Sequence, residues 1–321
     1  MAFNEFKQKG KLRVGVVGAG EWGECHARTY QSMADVELVG VVDIDACTAH
    51  SMAKKYACAA FTDLTGLLGQ VDAVSVVVPT IMHLEVSRPF LECGVHVLVE
   101  KPIAHTCEQA LEMVELAERS AALLQVGHLE RFNAGVVALA DRISDPRFVE
   151  VHRLGPFAER AMDVDVVMDL MIHDIDIVLT LVGSPIDRVD AMGIPVLSEH
   201  LDIANARLRF SNGAVANITA SRVSKQKLRR IRVFERDGYY GLNYINQQLD
   251  IVTRKPSTAG QRAEIVTHRL DIKAKSPLEA ELQSFVRSVR QGIPPLVSGR
   301  VGLEAVRVAM LIKESIKQCN Q

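Results

Sequence analysis

Nowhere in the 321 residues does an apolar run approach the ~20 residues needed to span a bilayer. The start, MAFNEFKQKGKLRVGVVG, carries charges where a signal peptide needs an apolar core, so a cytoplasmic protein without a membrane partner is expected. No CxxC pair is present either. Cys25, Cys47, Cys58, Cys93, Cys107 and Cys319 have neither metal-ligand nor disulfide-framework spacing, and read most simply as free thiols in a reducing compartment. Charge of one sign is also lacking. The 37 Lys and Arg against 39 Asp and Glu leave a net charge of -2, which gives no pull toward nucleic acid or anionic membrane. With no repeat and no low-complexity segment, what remains is a globular composition, 48% hydrophobic and 24% charged. The length suggests two domains at roughly 150 residues each.

The first part alternates short β-branched runs with segments of helical period. The runs are LRVGVV (12–17), VELVGVV (36–42), AVSVVV (73–78), VHVLV (95–99) and LLQV (123–126), with helices expected at 21–32, 45–56, 82–93 and 106–120. Strands this apolar are covered on both faces, as in a parallel sheet flanked by helices, and repeated β-α units predict a Rossmann-type doubly wound sheet. After Gly127 the pattern changes. Helical segments at 133–143 and 164–183 precede extended runs near 186–196, 202–211, 214–223, 228–236, 239–254 and 263–272, and helices at 277–290 and 300–318 close the chain. Asn212-Gly213 and Asp237-Gly238 are hairpin signals, so this half is expected to be an α+β domain built on a mainly antiparallel sheet. The expected domains are 1–127, binding a dinucleotide, and 128–321, binding substrate.

Gly18-Ala19-Gly20-Glu21-Trp22-Gly23 is a GxGxxG that follows the first strand and opens the first helix. Gly18 permits the tight turn, Gly20 a close approach of pyrophosphate, and Gly23 close packing of helix on strand. The helix N-terminus offers free N–H groups to the phosphates. Asp43 ends the second strand, where a carboxylate accepts hydrogen bonds from the adenosine ribose and repels a 2'-phosphate, so the cofactor predicted is NAD.

Two further segments carry candidate chemistry. Glu100-Lys101-Pro102 follows a strand at the carboxyl edge of the sheet, where a lysine beside a nicotinamide can help move a hydroxyl proton; a surface lysine is the bland alternative. In the helix around residues 166–176, Asp169, His173 and Asp176 are spaced i, i+4 and i+7, on one face. His173 is suited to proton transfer because imidazole titrates near neutrality, with the carboxylates orienting it. A buried His–Asp network and an Asp/His metal site are the alternatives there.

These residues resemble the Gfo/Idh/MocA oxidoreductases over essentially the whole chain. The resemblance is carried by GAGEWGECH (18–26), the Pro79-Thr80 turn with His83, EKP (100–102), and Asp169 with His173. It implies that Lys101 and His173 are the proton-transfer pair, that Asp169 lies in the substrate pocket, and that Thr80, His83 and Glu100 lie by the cofactor. It also implies no metal, and an open C-terminal sheet that forms a homodimer or homotetramer. Where many members have glycines around the helix aspartate, this chain has Val166, Val167 and Met171.

Gly127-His128-Leu129-Glu130-Arg131-Phe132-Asn133 and DLMIHDID (169–176) resemble the branch of the family that oxidises UDP-N-acetylhexosamines at the sugar 3-hydroxyl, although Ala134 stands where a proline is usual. The expected substrate is UDP-N-acetylglucosamine or a relative. Asn133 and Asp176 are expected near the sugar, and Arg131 and Arg160 are placed to pair with a diphosphate. Ordinary solvated arginines are the bland alternative. The basic run Lys225, Lys227, Arg229, Arg230 and Arg232 would be split between two strand faces. A free-sugar or inositol dehydrogenase, an NAD-dependent glycosidase and a non-catalytic NAD-binding regulator are the competing functions; retention of Lys101 and His173 argues against the last.

Overall fold

The apolar runs of the first part become the strands of one parallel sheet, because each is too hydrophobic to leave either face in water. The computed structural model describes residues 10–157, 164–255, 263–273 and 275–319. The strands are β1 (Leu12–Val17), β2 (Val36–Val42), β3 (Ala59–Phe61), β4 (Ala73–Val76), β5 (His96–Glu100) and β6 (Leu124–Gly127). They lie in the order β3-β2-β1-β4-β5-β6, all pairs parallel. The order reverses between β1 and β4, so the binding crevice of such a sheet opens at the carboxyl ends of these two strands. Helices α1 (Glu21–Gln31), α2 (Ala46–Tyr56), α3 (His83–Glu92) and α4 (Cys107–Arg119) make the crossovers. Asp45 caps α2 by accepting from the N–H groups of Cys47 and Thr48, and Thr106 caps α4 by accepting from Gln109.

The second compact unit comprises Glu130–Lys275 with Arg307–Gln321. It holds α5 (Ala134–Ala140), β7 (Phe148–Leu154), a π-helical turn Val167–Met171 that runs into α6 (Ile172–Val182), and strands β8 (Ile186–Ile194) to β14 (Ile265–Asp271). Between them lie β9 (Ile203–Phe210), β10 (Val215–Ser221), β11 (Leu228–Phe234), β12 (Gly238–Asn243) and β13 (Gln248–Arg254). The eight strands run β14-β13-β12-β11-β7-β10-β9-β8, antiparallel except for β7 with β10. Asn212-Gly213 turns β9 into β10 as expected, with Gly213 at φ +83°, a left-handed value that suits glycine.

Three strand expectations are corrected. The run 239–254 is a hairpin of two strands, and β3 and β7 lie where no strand was expected. The closing helices are α7 (Pro277–Gln291) and α8 (Gly299–Cys319). A boundary near residue 127 assigns both to the second domain, whereas Ser276–Val306 clusters with residues 1–129 in the first unit. The reason is packing: Leu278, Leu282, Phe285, Val286 and Val289 of α7 share one apolar core with Leu12, Val14, Ala27 and Tyr30.

Candidate active site

At the carboxyl edge of the parallel sheet the glycine loop has the shape its sequence demands. Gly18 sits at φ +97°, and a Cβ there would run into the carbonyl of Val77; a Cβ on Gly23 would strike the carbonyl of Gly18. Gly20, by contrast, faces open space, where a side chain would occupy the approach to the helix. Gly20 is also the N-cap of α1 and offers no side-chain acceptor, so the first-turn N–H groups stay available to a phosphate. Asp43 closes the loop, its carboxylate accepting from Ala19 N at 2.7 Å and Asp45 N at 3.0 Å. Beside it Ile44 is 96% exposed, and Trp22, Ile81 and Met82 also present apolar surface at this edge. Glu21 and Pro79 are exposed and Thr80 is half-buried. These residues fit a dinucleotide: a bare helix end for phosphates, a carboxylate for ribose hydroxyls, and an apolar wall for a base.

His83 opens α3 and is held from two sides. It is buried at 1% exposure, with Nδ1 2.9 Å from the Pro102 carbonyl and Nε2 2.9 Å from the Val78 carbonyl. Burial pushes its pKa down, partly offset by these carbonyls. It therefore ties the turn after β4 to the loop after β5, and so holds Lys101, whose peptide bond to Pro102 is cis. Lys101 itself is half-buried. Glu100 Oε1 lies 3.2 Å from Nε2 of His26, a fully buried residue of α1. Burial raises the Glu100 pKa, but His26, Lys101 and His83 outweigh it and hold the carboxyl below its ordinary value. Gly127 leaves the room this needs, since a Cβ there would come 2.9 Å from Glu100 Oε1.

In the second unit the π turn carries Asp169 and the first turn of α6 carries His173, both half-buried and about one turn apart. Asp165 fastens the start of this helix: its Oδ1 accepts from the N–H groups of Val167 and Met168 at 3.0 Å, and its Oδ2 pairs with Lys313 at 2.7 Å. Asp176 points inward at 1% exposure and pairs with Arg131 at 3.3 Å; Arg131 also donates to Thr180. The charge expected to meet a diphosphate thus faces a carboxylate within the unit. Asn133 caps α5, accepting from Gly135 N at 2.9 Å and donating to Glu130 at 3.0 Å. Arg160 lies outside the described residues.

Sequence reasoning passed over the network that braces this helix. Arg153 of β7, 4% exposed, grips Asp174 with two bonds of 2.8 and 2.7 Å and reaches Glu130 at 3.0 Å, while its guanidinium lies 5.6 Å from the Tyr244 ring centre. Burial opposes its charge, but Asp174, Glu130 and Tyr244 together raise its pKa further. His26 and Arg153 were legible only as residues, since their partners lie far away in sequence. Among the described residues no three His, Cys, Asp or Glu side chains are placed to hold a metal ion, and no helix is long and apolar enough to cross a membrane. Among the described residues no cysteine forms a disulfide.

The profile of the oxidoreductase family with an NAD-binding Rossmann fold matches residues 12–128, and that of the GFO/IDH/MocA C-terminal domain matches residues 138–240. The chain is similar to the UDP-N-acetylglucosamine 3-dehydrogenase of Acidithiobacillus ferrooxidans, 34% identical over 308 residues that cover 95% of this chain and 97% of that protein. A crystal form of that enzyme superposes with a TM-score of 0.90, covering 97% of this chain and 99% of the other at 33% identity. The myo-inositol 2-dehydrogenase of Thermotoga maritima is 26% identical over 326 residues, 96% of this chain and 97% of that protein.

Proposed function

The chain belongs to the Gfo/Idh/MocA oxidoreductases and is an NAD-dependent dehydrogenase acting on a CH–OH group; from that premise we propose that it oxidises the 3-hydroxyl of UDP-N-acetylglucosamine, or of a related UDP-N-acetylhexosamine. The observation that carries the substrate is the likeness to a UDP-N-acetylglucosamine 3-dehydrogenase along 95% of the chain. NAD, when bound, accepts the hydrogen and electron pair that leave the sugar carbon.

The chain's own residues do the rest. The free N–H groups after Gly20 and the Asp43 carboxylate bind and orient the dinucleotide. Lys101, on the loop held by His83, and His173, on the helix braced by Arg153, are the groups proposed to take the hydroxyl proton, with Asp169 binding the sugar. The diphosphate is assigned to Arg131, which also pairs with Asp176, and Arg160. The enzyme is further proposed to be a cytoplasmic homodimer or homotetramer that associates through the open face of the eight-stranded sheet.

A panel of UDP-N-acetylglucosamine, free N-acetylglucosamine and myo-inositol with NAD, read by NADH absorbance with an amine partner to trap the ketone, tests the substrate. UDP-N-acetylglucosamine should be turned over fastest; faster turnover of inositol selects the reading favoured by the second relative. On the preferred substrate, Lys101→Ala and His173→Ala should each lower kcat by about 100-fold or more with NAD affinity nearly unchanged, since such groups supply roughly 10²- to 10⁴-fold. A variant with near-normal turnover would show its residue to be structural.

A further inference from the structure

Behind Lys101, inside the first unit, a strip of polar side chains crosses an otherwise apolar core. α1 and α7 pack on the same core, and His26 and Tyr30 of α1 and Glu281 of α7 are each 0% exposed. Ser75, Leu98 and Gln125 are register partners on β4, β5 and β6, so they share one row and one face, and Glu100 lies two residues along β5 on that same face. The contacts run through the strip: Tyr30 to Ser75 at 2.8 Å, Gln125 Nε2 to the Glu281 carbonyl at 3.5 Å, and His26 to Glu100 at 3.2 Å.

The strip does not close as a hydrogen-bond network with every carboxyl ionised. Both ring nitrogens of His26, Gln125 Oε1 and both carboxyl oxygens of Glu281 make no hydrogen bond among the described residues, Nε2 of His26 lying at ion-pair distance from Glu100. An amide oxygen and an ionised carboxylate can only accept, and a neutral His26 that turns its one N–H from Nε2 to Glu100 leaves Nδ1 an acceptor as well, so the remaining atoms cannot satisfy one another without a further donor. A proton on Glu281 is that donor. The electrostatics point the same way: burial first, and the Glu100 charge second, push the Glu281 carboxyl well above its ordinary range, while His26, Lys101 and His83 keep Glu100 ionised.

We propose that Glu281 is a positioning residue of the oxidoreductase site: it holds a proton inside the sheet, so that Glu100 is left as the negative charge between His26 and Lys101. It acts on Lys101 through Glu100, and the inference rests on the reading of Lys101 as a proton-transfer residue. The titratable groups facing it are Tyr30 from α1 and Glu100 from β5, with His26, Lys101 and His83 around Glu100.

The test has arms with and without turnover. The infrared difference between the wild type and Glu281→Gln, both with NADH at neutral pH, should contain the carbonyl band of a protonated carboxylic acid; carboxylate bands alone would overturn the proposal. Because the folded-state pKa is raised, the stability Glu281 contributes is full below its unfolded value and is lost as pH rises toward the folded one. The thermal midpoint of the wild type relative to Glu281→Gln should therefore fall between about pH 5 and 8, and a flat or rising difference counts against the proton. On the preferred sugar, Glu281→Gln keeps a neutral donor and should retain kcat within about twofold, while Glu281→Leu should lose about tenfold and shift the pH profile of kcat, with NADH affinity unchanged. Equal turnover by the wild type and both variants overturns the positioning role. Inactivity of the wild type itself on every sugar would instead remove the reading of Lys101.

Discussion

Asp43 serves two masters in this fold. Its carboxylate ties down the glycine loop through Ala19 N and Asp45 N, and the same oxygens are the acceptors available to a ribose. A 2'-phosphate brought to that place meets like charge, so NADH should bind at least about tenfold better than NADPH, a preference that needs only about 1.4 kcal/mol. Asp43→Asn keeps an acceptor for the loop and removes the charge, and should lose most of the discrimination while still binding NADH. Trp22 is the single tryptophan of the chain and is 51% exposed beside Gly20 and Gly23. Its fluorescence therefore serves to titrate both cofactors, and equal or tighter NADPH binding by the wild type would defeat the assignment.

Of the ion pairs that hold the helix bearing His173, the most deeply buried is that of Arg153 with Asp174. Arg153 and Asp174 are 4% and 0% exposed and joined by two short bonds. Asp174→Asn leaves the buried guanidinium with Glu130 as its remaining carboxylate and should lower stability by about 3 kcal/mol, read as a shift in urea midpoint; replacing both by leucine should recover most of it. A single-site loss below about 0.5 kcal/mol would show that Glu130 alone suffices for Arg153. The same pair explains what the sequence concealed. In FVEVHRL (148–154) the core-facing positions are Val149, Val151 and Arg153, and a charge at the third breaks the alternation by which β7 would be recognised. The hairpin of β12 and β13 was hidden because its turn uses Gln247 at φ +56°, without the usual glycine. The glycine loop, Asp43 and the β-α alternation were legible, since local spacing alone carries them. The contact of His26 with Glu100 and the seating of α7 on the first core were not, because helical periodicity marks an apolar face without saying which sheet it covers.

In the second unit one face of the sheet is mainly apolar, Arg153 and Arg229 excepted, and the other carries a row of polar pairs. The register aligns Asp190, Arg207, Asn217, Glu150, Arg232, Gly241, Asp250 and Arg269 from β8 to β14. Arg207 donates to Asn217 at 3.1 Å, Arg232 pairs with Glu150, and Arg269 pairs with Asp250 at 2.7 Å. Arg230 and Arg232 lie on this face, while Arg229 is the register partner of core-facing Arg153, so the basic run is divided as strand alternation requires. Opposite charges alternate along the row, which makes the face complementary to a second copy of itself under a twofold axis. Met192, Ile194, Val196 and Leu197 add exposed apolar surface at and just beyond the end of β8. A sheet face this broad, only half-exposed residue by residue, suits an interface better than bulk water does. Light scattering should therefore give two or four chains per particle. Thr219→Arg, placing an unpaired charge on central strand β10 beside Asn205, should shift the particle toward the monomer while the far-ultraviolet circular dichroism stays unchanged. A wild type that elutes as a monomer at micromolar concentration, or a Thr219→Arg chain that keeps the wild-type mass, would move the association away from this sheet.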